Sequence, residues 1–91
     1  MPRDFEELFD ESIKILWRQF VVYGSDEPAL DKWQIESVRL MILGGVKPQD
    51  FAYAVGMLES PLLDLDYEWD FVCATALKRR ADINFEIAEA E

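Results

Sequence analysis

The sequence contains no histidine. There is therefore no imidazole base, no Ser–His or Cys–His nucleophilic pair, and no histidine-based zinc or iron site. A single cysteine, Cys73, excludes an internal disulfide. One thiolate without any imidazole also cannot build a structural zinc site. Cys73 sits in the apolar stretch FVCATAL, with no basic neighbour to lower its pKa. It reads as a small buried hydrophobe rather than a reactive thiol. The phosphate-cradling patterns GxGxxG and GxxxxGK[ST] are missing as well. Catalysis would have to rest on carboxylates, Tyr or Lys alone, so a non-enzyme is expected, with no metal and no cofactor.

Positive charge is scarce. Nine Lys and Arg stand against nineteen Asp and Glu, for a formal net charge of −10. Such a surface repels nucleic acid and attracts a basic protein surface. The plainer use of acidity is solubility. No apolar run approaches the ~18 residues of a membrane span. The start, MPRDFEELFDES, lacks the apolar core and small-residue cleavage site of a secretory signal. A cytoplasmic location is the expectation.

What is present is ample for a core. Hydrophobic residues make up 51% of the chain, with three Trp, three Tyr and six Phe. At 91 residues this is one domain, 1–91, with neither repeats nor a linker. The periodicity predicts an all-α fold of about four helices, near 4–22, 28–43, 48–57 and 61–88. In the first, Phe5, Leu8, Phe9, Ile13, Leu16 and Phe20 recur at helical spacing, Asp4 and Glu7 form a cap pair, and Gly24 stops the helix. In the second, SDEP with Pro28 is the start signal, and Leu30, Trp33, Val38, Met41 and Ile42 form the apolar side. Gly44 and Gly45 end it. Pro48 opens the third, whose apolar face is Phe51, Ala52, Val55 and Leu58. Ser60–Pro61 opens the last, long and acidic. The basic run Lys78–Arg79–Arg80 reads as a solvated segment pairing with nearby acids such as Asp82, or as a contact for an acidic or phosphate group.

The segment DLDYEWDF, 64–71, alternates acidic and apolar residues. Alternation suits a half-buried strand. Against a strand stand its three Asp, its lack of a clear pairing partner, and its helix-favouring continuation VCATALKRRA. As a helix it carries Leu62, Leu65, Trp69, Val72 and Ala76 in one stripe and Tyr67, Phe71 and Ala74 nearly opposite, with acids between. Helix is the expectation. A helix apolar on two sides is either the middle one of the domain or covered by a partner, and a homodimer is one such solution. The alternate acids also suggest a calcium loop, but Trp69 stands where that loop needs Gly and Thr75 where it needs Glu.

Residues 38–65, VRLMILGGVKPQDFAYAVGMLESPLLDL, resemble the helix-turn-helix of phage-repressor-type DNA-binding domains. Gly45 and Val46 match the first turn, Phe51 and Ala52 the short helix, and Val55, Gly56 and Met57 the second turn. Leu62 and Leu65 match the buried positions of the recognition helix. The resemblance implies a trihelical, DNA-binding domain. The departure is in the exposed positions, Glu59, Ser60, Leu63, Asp64 and Asp66, where base- and phosphate-reading side chains belong.

Taken together, these features lead to the expectation of a non-catalytic, acidic, protein-binding protein that occupies a basic, nucleic-acid-binding surface of its target. Glu59, Asp64, Asp66, Glu68 and Asp70 would present charge, and Tyr67 and Phe71 would be apolar anchors. Small acidic helical proteins of phages and mobile elements work as inhibitors of this DNA-mimicking kind, by analogy only. The alternatives are a helix-turn-helix regulator and a phage assembly or chaperone-like structural adaptor.

Overall fold

A computed structural model describes residues 4–20, 30–58 and 65–90. Four helices account for nearly all of them: α1 (Phe5–Phe20), α2 (Lys32–Leu43), α3 (Pro48–Gly56) and α4 (Leu65–Ala90). No strand occurs among the described residues.

Helix α1 begins as its sequence directs. The Asp4 carboxylate accepts the Glu7 backbone N–H at 2.9 Å, so one otherwise orphaned donor of the first turn is satisfied. Leu16 is fully buried, and Phe5, Leu8, Phe9 and Ile13 pack half-buried against the core. Ser12 is also buried, and its hydroxyl returns to the Leu8 carbonyl at 2.8 Å. Gly24 and Pro28 lie outside the described residues.

Helix α2 starts at Lys32, not at residue 28. Leu30 precedes it, and Asp31 is the extended N-cap. Gln34, three residues on, accepts the Asp31 backbone N–H through its side-chain oxygen at 2.8 Å. That closure makes Asp31 the start of the helix. Val38 and Ile42 are buried, Met41 is half-buried and Trp33 is 54% exposed. The exit is a tight glycine turn. Gly45 adopts φ 105°, and Val46 N–H reaches back to the Met41 carbonyl at 3.0 Å.

Helix α3 links α4 to the rest of the body. It packs on α1 on one side and on α4 on the other, while α1 also packs on α2. Phe51 and Ala54 are fully buried, with Val55 and Leu58 beside them. Ala52, expected on this face, is exposed. A helix of 3.6 residues per turn that packs on two neighbours buries a face centred on 51 and 54, and residue 52 falls outside it.

Residues 65–71 are helical, the opening turns of α4. Trp69, Val72 and Ala76 form its buried stripe. Trp69 meets Trp33 of α2 edge-on, ring centres 6.1 Å apart. Helix α4 packs chiefly on α3 and is not the middle helix, so its second apolar side is only partly covered: Phe71 is half-buried and Ala74 exposed. From residue 84 to residue 90 every side chain of α4 is exposed, including Phe85 at 63% and Ile87 at 52%. The helix thus continues as an arm beyond the packed body.

Candidate functional site

The site is built where α3 meets the middle of α4, around a carboxylate that sequence reasoning missed. Asp50 has no exposed surface. Its Oδ2 accepts the Lys47 backbone N–H at 2.9 Å, which caps α3. The same oxygen accepts Arg80 Nε at 2.8 Å, and Oδ1 accepts Arg80 Nη2 at 3.2 Å, a two-pronged charge-assisted pair. Arg79 Nε lies 3.5 Å from Oδ1, too far and too poorly aimed to hydrogen-bond. Its guanidinium instead lies over the Tyr53 ring, 4.1 Å from the centre. Burying a carboxylate costs several kcal/mol unless it is paired and hydrogen-bonded. Here it is both.

Two of the three groups in Lys78–Arg79–Arg80 are therefore turned inward onto α3. The expectation that they pair with Asp82 is corrected. Arg80 and Arg79 follow Ala76 by about one turn, which places them over the start of α3. The local signal for Asp50 was its place at the third helical position after Lys47, a cap-return position. Nothing local announced its pairing 30 residues away.

Beside this pair an open groove of about 630 Å³ runs between the two helices. Tyr53 and Met57 of α3 form one wall. Phe71, Thr75, Lys78, Asp82, Ile83 and Glu86 of α4 form the floor and the far end. The groove has an apolar end at Phe71, basic groups at its middle and acids toward the arm.

Of the residues expected to contact a partner, Phe71 lies in this groove. Asp70 is exposed, one residue and so about 100° around the helix from Phe71. Asp66 and Tyr67 lie in the first turn of α4. Glu59 and Asp64 lie outside the described residues. Glu68 is corrected: it is buried, at 8% exposure, and does not present its charge. It stands one turn before Val72, inside the arc that α4 turns to the core. Cys73 is half-buried, and its thiol is pushed up to about 11 by burial and, secondarily, by the charge of Asp70.

Among the described residues no group of three or more Cys, Asp or Glu is placed to hold a metal ion. No described helix is long and apolar enough to cross a membrane. Comparison with known protein families, with curated proteins and with solved structures finds no match.

Proposed function

We propose that this chain is a non-catalytic, acidic protein-binding protein that occupies a basic, otherwise nucleic-acid-binding, surface of a target protein. The observation that carries the proposal is the inward turn of Arg79 and Arg80 onto Asp50. It takes two of the three groups of the one basic cluster inward, so that among the described residues exposed carboxylates outnumber the exposed bases Lys14, Arg18, Lys32, Arg39 and Lys78. Glu6, Glu7 and Asp10 of α1 and Asp70 of α4 are exposed. Lys14 is held by Asp10 at 3.0 Å, and Arg39 lies over the Phe5 ring. Long-range attraction to a positive surface follows from such an imbalance. Asp66, Asp70 and the α4 entry, with Glu59, Asp64 and Tyr67, are the proposed contact region.

The test is capture of binding proteins from native host cells, washed at low and at high salt, with a labelled duplex as competitor. A nucleic-acid-processing protein that is retained at low salt, lost at high salt and displaced by DNA is the expected result. Direct retention of the duplex by the chain alone would overturn it in favour of the helix-turn-helix regulator, which the inward arginines do not support. The exposed Phe85 and Ile87 favour a second reading, a structural adaptor, whose partners would be retained at high salt.

A further inference from the structure

We propose that the chain forms a two-fold dimer in which the α4 arm of each copy lies antiparallel in the α3–α4 groove of the other. Charge order along α4 motivates this. With Arg79 and Arg80 turned onto Asp50, Lys78 is the exposed base of the run, and exposed acids stand at 82, 86 and 89. A parallel pairing would set like charges against like. An antiparallel pairing sets Lys78 against Asp82.

The register follows from the lengths. With the two-fold axis near Arg80, residues 81–90 of one copy lie alongside 70–79 of the other, the segment that includes Phe71, Thr75 and Lys78 of the groove. Lys78 then faces Asp82 of the second copy, twice by symmetry. Phe85, 63% exposed in one copy, enters beside Phe71, Thr75 and Met57 of the other. Phe71, Lys78, Asp82 and Phe85 share one face at spacings of three, four and seven. The surface is thus self-complementary, as a two-fold interface must be. Repulsion between two chains of −10 each opposes association, so the dimer is weak at low salt and strengthens at moderate salt.

The experiment is sedimentation equilibrium of the full chain across a thousandfold range of concentration at moderate salt. A mass rising from 10.6 kDa toward twice that value is expected. Phe85→Glu, whose side chain is solvent-exposed in the monomer, should weaken dimerisation at least 10-fold with unchanged helix content by circular dichroism. Lys78→Glu and Asp82→Lys should each weaken it, and the double variant K78E/D82K should restore it. A wild-type chain that stays monomeric throughout overturns the dimer. A dimer indifferent to Phe85→Glu, or not rescued by the double variant, overturns the antiparallel arrangement. Failure here leaves the binding of a basic target standing, because that proposal rests on carboxylates outside the groove.

Discussion

Both oxygens of Asp50 are engaged, by Arg80 and by the Lys47 backbone N–H. Replacing Asp50 with Ala strands the Arg80 guanidinium, whose side chain is only 13% exposed, and uncaps α3. Breaking one side of a buried pair costs about 3–5 kcal/mol. We expect D50A to lower stability by about 3 kcal/mol, the low end, because Arg80 keeps some access to water. The urea midpoint is the measurement, and a loss below about 1 kcal/mol would mean that the arginine re-solvates freely. Cys73 supplies a second prediction at this scale. Its thiol ionises near 11 in the folded chain against an ordinary value near 9. Below pH 9 the thiol is protonated in both folded and unfolded states, so it adds no pH dependence. Between 9 and 11 the unfolded chain ionises first, and stability falls as pH rises. Alkylation of the native protein should therefore be slow at pH 8 and accelerate only as pH approaches 11. Labelling at pH 8 at the rate of an unfolded control would contradict this.

At the scale of the elements, two glycines near helix ends have opposite roles. Gly45 holds φ 105° in the α2–α3 turn, where a Cβ would touch nothing within 4 Å. The cost of Gly45→Ala is thus backbone strain alone, about 1–2 kcal/mol of destabilisation. Gly56 is the last residue of α3, with open space where its Cβ would be and no positive φ. Gly56→Ala should stabilise by about 0.5–1 kcal/mol through helix propensity and the narrower unfolded ensemble. Paired thermal melts of the two variants test both signs at once. The helix starts were legible for a related reason. Caps such as Asp4 with Glu7, and the Pro48 opening, act within four residues. The start of α2 was misplaced because Pro28 and Asp31 are both acceptable openers, and the Gln34 return bond selects the second.

At the scale of the whole molecule, the body and the arm have different energetics. The body holds Leu16, Val38, Phe51, Ala54, Val72 and Ala76 with no exposure. The arm buries nothing of its own from residue 84 onward. Removing residues 84–91 should shift the stability of dilute monomer by no more than about 0.5 kcal/mol, the range of surface changes. Helix content per chain should fall at the same time. Equilibrium unfolding at low protein concentration, followed by far-ultraviolet circular dichroism, reads both. A large loss of stability would mean that the arm folds back on the body. The net charge of −10 was plain from composition, but its distribution was not. Lys78–Arg79–Arg80 is one basic run in sequence, yet in space Arg79 and Arg80 approach a buried carboxylate while Lys78 and Arg79 line a groove.

The sequence by itself determined that the described segments are helical, that a turn falls at Gly44–Gly45, and that the first three helices each have an apolar face. Those are consequences of local propensity and of periodicity, which act over one or two turns. It also excluded histidine-based chemistry and an internal disulfide. The tertiary structure decided which helices pack on which, that Glu68 lies inward while Asp70 lies outward, and that Asp50 receives Arg80 across 30 residues. These depend on how rigid helices are placed against one another. A carboxylate at a cap position looks the same in sequence whether it faces water or a guanidinium, and only packing distinguishes the two.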